Sequence, residues 1–181
     1  MTQKQAFRDE MRKLWEDHIT WTRLTIVSFA ADLPDLPRTL DRLLENQVDL
    51  GNAIVPFYGE DAGQALTDLL TEHILGAVDI LVAAKAQDQP ALDAAVEAWY
   101  VNGDEISDFL FEANPGSWPQ DEMRAMMREH LDLTLEEASA RLQGDFETDI
   151  ATYEEIHRQI LEMADMLSDG IIRQFPQKFA H

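Results

Sequence analysis

The chain has 181 residues, 45% of them hydrophobic and 27% charged, which is the balance of a folded globular protein and not of a disordered one. Its 14 basic and 35 acidic residues leave a net charge of −21, so neither nucleic acid nor an anionic membrane surface is an expected partner, while cations and basic proteins are. It has no cysteine, which excludes disulfides, zinc-thiolate sites, iron–sulfur clusters and thiol nucleophiles.

The sequence predicts helices only. Thr2 and Gln5 can form a capping box that opens a first helix reaching about Ala31. The run Asp32–Pro37 breaks it. A second helix follows from about Pro37 to Phe57, with Leu40, Leu43, Leu50 and Ile54 on one stripe, and Tyr58-Gly59 turns the chain. A third is expected from about Glu60 to Ala86, its stripe running through Leu66, Leu70, His73, Ala77 and Leu81. Asp88 and Pro90 open a fourth that ends near Asn114-Pro115-Gly116. Ser117 as N-cap with Pro119 in the first turn opens a fifth, and Gly144-Asp145 separates it from a sixth that ends near Gln174. No segment alternates with period two over a strand's length. The most apolar stretch, HILGAVDILVAA, is too short to span a bilayer and is interrupted by Asp79. The charged start has no signal-peptide core, so the expected location is the cytoplasm.

An internal triplication runs through these helices. Asp17-His18-Ile19, Glu72-His73-Ile74 and Glu129-His130-Leu131 repeat one pattern, with histidines 55 and 57 residues apart. Asp32, Asp88 and Asp145 follow and begin each next helical region. Fourteen residues beyond each of these come Asn46, Asn102 and Gln159, and three further on Asp49, Glu105 and Glu162. A small residue recurs at Gly51, Ser107 and Ala164. The expected fold is a single all-α domain over 1–181. It is a six-helix bundle of three tandem antiparallel hairpins, with units of roughly 56 residues at about 1–58, 59–114 and 115–181. At a rise of about 1.5 Å per residue, each histidine and its amide lie about 21 Å from their turn and so stand level.

That layer is the candidate site. Neutral imidazole is the commonest protein metal ligand, and three from separate helices suit Zn, Cu, Fe or Ni. The expected ligands to a divalent transition metal or Cu are His18, His73 and His130. His157, Asp49, Glu105, Glu162 and Asp165 are added as further ligands or outer partners, beside the amides Asn46 and Asn102. At 100° per residue Asn46 stands about 80° from the apolar centre of its helix and Asp49 further round. Glu154-x-x-His157 matches half of a ferritin-like di-iron pattern, and the second half is missing. The methionines at 123, 126, 127, 163 and 166 and the four tryptophans read as core. No pattern assigns a reaction. The resulting expectation is a metal-binding bundle: carrier, buffer, sensor or metalloenzyme. The alternative is a non-catalytic acidic interaction protein, with a basic partner, whose His/Asn/acid layer is a structural hydrogen-bond network.

The segments LWEDHITWTR, GNAIVPFYGEDAG and EIHRQILEMADMLSDGIIRQFP resemble a bacterial family of small all-helical cytoplasmic proteins over nearly the whole chain. The resemblance implies a natural bacterial protein and carries no activity.

Overall fold

The computed structural model describes residues 2–180. They form six long helices: α1 (Gln3–Ala30), α2 (Leu36–Tyr58), α3 (Glu60–Ala86), α4 (Gln89–Ala113), α5 (Gln120–Gln143) and α6 (Phe146–Gln174). A 3₁₀ turn, Pro176–Phe179, follows and was not anticipated by the sequence pattern. No strand occurs among the described residues. Consecutive helices pack against one another, and α1 closes against α6, so the bundle forms a ring.

Local chemistry explains most of the boundaries. The Thr2 side chain accepts from the Gln5 amide, and Asp88 and Asp145 cap α4 and α6 by accepting from Ala91 and Thr148. Two expected helix-start residues play other parts. Asp32 does not open α2; it takes a left-handed φ of 53° inside the turn, and α2 starts after Asp35, which makes no side-chain cap. Ser117 does not cap α5 either, because its neighbourhood forms a turn on Asn114 and Pro119 takes the N-cap position.

One apolar core draws on every helix, through Trp15, Leu50, Leu70, Trp99, Met123 and Ile160 among others. Met127 and Met163 are buried in it, and Met126 and Met166 pack against it. Trp21 departs from expectation: it is half-buried, with the Arg42 guanidinium 5.8 Å from its ring centre. Where α2 meets α3, a Cβ on Gly51 would stand 1.9 Å from Thr67 Oγ1 and 2.5 Å from the Gly63 carbonyl. Only glycine permits that approach.

The bundle has two different ends. At one, Phe7, Phe57, Phe175 and Phe179 cluster with ring centres 5.1–5.6 Å apart. At the other, the turns after α1, α3 and α5 meet. There the Lys85 ammonium donates to the Phe29 carbonyl and to Asp32, and Ala30, Gln87 and Gln143 border one cleft.

Candidate functional site

The three expected ligand histidines are all buried, with His18 3%, His73 4% and His130 5% exposed. They gather in the interior. The His18 and His130 ring centres are 5.9 Å apart, and His73 is near enough to both to act on them electrostatically. His73 stacks on Trp99 at 4.9 Å, and His18 meets Trp15 edge-on at 5.6 Å.

The amides of the return helices do reach this layer. Asn46 is fully buried, and Asn102 and Gln159 nearly so. Each donates its NH₂ to the backbone carbonyl four residues before the paired histidine. The contacts are Asn46 to Leu14 at 3.0 Å, Asn102 to Leu69 at 3.1 Å and Gln159 to Met126 at 3.1 Å. A backbone carbonyl only accepts, so the amide nitrogen must face it. The amide oxygen is thereby turned toward the ring. Asn102 Oδ1 stands 3.0 Å from His73 Nδ1, and Gln159 Oε1 3.2 Å from His130 Nδ1. Since those oxygens accept, both rings carry their proton on Nδ1 and a lone pair on Nε2. Neither Nε2 has a hydrogen-bond partner among the described residues.

His18 departs from this pattern. Asn46 Oδ1 accepts from Gln47 instead, at 3.2 Å. Asn46 and Gln47 lie close enough to polarise the His18 ring, but its Nδ1 has no hydrogen bond. Trp15 Nε1 and Gln47 Oε1 are likewise buried without partners, so a donor and an acceptor beside the His18 ring are unsatisfied along with its own nitrogen. Burial keeps all three rings neutral. It pushes His73 down to about 3, with help from His130, and His130 down to about 4. It holds His18 well below the usual imidazole range, with His130 and His73 adding to the effect.

The carboxylates do not join them. Glu105 and Glu162 are exposed. Asp49 is 3.4 Å from Arg42, and Asp165 is held by Arg12 on the bundle surface. His157 is also drawn outward, its Nε2 2.6 Å from Glu16 Oε1. The cause is helical phase. A residue three positions after a core amide is turned about 60° further away from the apolar stripe, where arginine and water compete for it. Among the described residues no group of three or more His, Asp or Glu stands in metal-binding geometry.

A second polar centre was missed by the sequence reading. Glu137 on α5 and Asp149 on α6 are 2% and 0% exposed. Arg23 bridges them, with Nη1 2.6 Å from Glu137 and 2.8 Å from Asp149, and Arg141 reaches Asp149 at 3.3 Å. Arg23 also lies over the Tyr153 ring at 4.7 Å. Burial pushes the Glu137 carboxyl up to about 7 against the pull of Arg23. The two acids stand among 33 others with nothing in their spacing to mark them.

Comparison with family models, with curated proteins and with solved structures finds no match for the chain. No described helix is long and apolar enough to cross a membrane.

Proposed function

We propose that the chain is a triplicated three-hairpin bundle whose buried histidine layer binds a transition-metal ion, Zn(II) or Cu(I), through Nε2 of His18, His73 and His130. The observation that carries this reading is the orientation of the amides. Asn102 and Gln159 fix Nδ1 as the protonated nitrogen and leave a free lone pair on Nε2 of a neutral ring. This is how outer partners prepare metal-ligating histidines. The recurrence of the amide-to-carbonyl bond at Leu14, Leu69 and Met126, each four residues before a histidine, supports the triplication. So does the burial of Gly51, Ser107 and Ala164.

The ligand set is narrower than the spacing suggested, since Asp49 and Asp165 pair with Arg42 and Arg12, Glu105 and Glu162 are exposed, and His157 is hydrogen-bonded to Glu16. Uptake of the ion draws the rings together from their present spacing. His18 turns at least cost, because no hydrogen bond holds its Nδ1. His73 must leave part of its stack on Trp99. A low imidazole basicity also removes proton competition at neutral pH.

The second reading is a structural network in an acidic interaction protein. It is favoured by the satisfied Nδ1 atoms of His73 and His130 and by the outward carboxylates. Calorimetric titration of chelator-treated protein with Zn(II), and with Cu(I) under reducing conditions, separates the two. The metal reading expects one ion per chain at Kd below about 10 μM, and its loss in a folded His18→Ala, His73→Ala, His130→Ala variant. Equal binding by that variant, or none by wild type, leaves the structural network.

A further inference from the structure

We propose that the cleft between α4 and α5, at the turn end of the bundle, is the docking site for a basic amphipathic helix of a partner protein. The proposal does not depend on the metal reading; it uses only the repeat register. Offsets of 57 residues on the return helices and 112 between the first and third leading helices align Leu92 with Asp149 and Leu135 with Arg23. In the α6–α1 seam those positions are joined by the Arg23–Asp149 pair, with Tyr153 packed on the guanidinium. In the α4–α5 seam Leu92, Val96 and Leu135, the counterparts of Asp149, Tyr153 and Arg23, line an open cleft of about 880 Å³ together with Ile80, Leu81 and Ala84 of α3.

The chemistry of the opening selects its occupant. Its apolar lining includes Leu92, Val96, Leu135 and Leu142, from the first two turns or so of α4 and the last two of α5. That length, about 12 Å, matches two turns of a docked helix presenting apolar anchors at i, i+3/i+4 and i+7. Asp93 and Glu97 stand on the rim one residue beyond Leu92 and Val96. Asp93 receives only the neutral Gln89 amide, and Glu97 has no ion-pair partner among the described residues. The rim's lysine, Lys85, is already spent on Asp32. The cleft is therefore an apolar slot with an uncompensated negative edge, on a chain of net charge −21. A second copy of the chain would be repelled, whereas a basic helix is attracted and steered in.

The probe is a fluorescein-labelled amphipathic peptide of Leu and Lys, about 18 residues long, with Leu at helical i, i+3, i+4, i+7 spacing. Its binding is followed by fluorescence anisotropy at about 0.15 M salt. Wild type is expected to bind below about 100 μM. An Asp93→Lys, Glu97→Lys variant changes only exposed residues and is expected to bind at least about 10-fold more weakly. Leu135→Arg, which fills the slot, should do the same. A Glu112→Lys, Glu122→Lys control carries the same charge change at the other end of the bundle and should bind like wild type. Equal weakening by the control and the rim variant means general charge attraction and overturns the proposal. So does wild-type binding that Leu135→Arg leaves intact, or absence of wild-type binding in this range.

Discussion

The buried histidines should make the protein acid-labile well above the carboxylate range. In the native state His73 and His130 accept a proton only near pH 3 and 4, against an ordinary 6.5. The unfolded chain protonates them near 6.5. Below that pH the unfolded state binds more protons, so stability is present above pH 6.5 and is lost as the pH falls. Each pH unit removes about 1.4 kcal/mol per histidine. At pH 5.0 the two rings together remove about 4 kcal/mol, and His18, also depressed, adds to the loss in the same direction. A domain of this kind has about 5–15 kcal/mol in total. Glu137 titrates with opposite sign in the same window, so the assay uses an E137Q background and a chelator. Urea unfolding followed by circular dichroism at pH 7.5 and 5.0 gives the two free energies. A His73→Gln, His130→Gln variant in that background should lose about 4 kcal/mol of the pH dependence. Equal pH dependence with and without the two histidines would refute the claim that they are buried neutral.

Three further outcomes follow from particular contacts. The Glu137 carboxyl, raised from 4.5 to about 7, costs stability as the pH rises through that interval. The stability of E137Q relative to wild type should therefore climb by about 3 kcal/mol between pH 4.5 and 8, measured by urea unfolding. Arg23→Ala removes the bridge between two fully buried acids and should cost about 3–5 kcal/mol at pH 7.5; a loss below about 1 kcal/mol would mean that water reaches the pair. Gly51→Ala forces a methyl group against Thr67 and the Gly63 carbonyl. It should cost about 1–3 kcal/mol, seen as a fall in Tm of several degrees, and an unchanged Tm would mean that α2 and α3 separate freely.

The helices were legible because each has a 3.6-residue apolar stripe and most have a polar cap or turn residue at the start. The exceptions are instructive. Asp32 has the right residue type for a cap, but the turn it sits in is longer than the other two, so the chain uses it for a left-handed bend. The burial of His73 followed from its place in the centre of a stripe. The burial of Asn46, about 80° off the stripe, did not, because it depends on the carbonyl of Leu14 supplied by the neighbouring helix. The acids at Asp49, Glu105 and Glu162 repeat with the same fidelity as the amides, yet they face out, so recurrence alone could not separate a core position from a surface one. Glu137 and Asp149 were hidden for the converse reason: their partner, Arg23, is over a hundred residues away, and no local pattern announces the pair.

Metal binding through Nε2 requires that the ring proton sit on Nδ1, and two-dimensional ¹H–¹⁵N spectra of the imidazoles report its position directly. In chelator-treated protein at pH 7, His73 and His130 should both be neutral Nδ1–H tautomers, and stoichiometric Zn(II) should shift the Nε2 resonances of His18, His73 and His130 while leaving His157 in place. Nε2–H tautomers at His73 and His130, or Nε2 signals that do not respond to the metal, would contradict it.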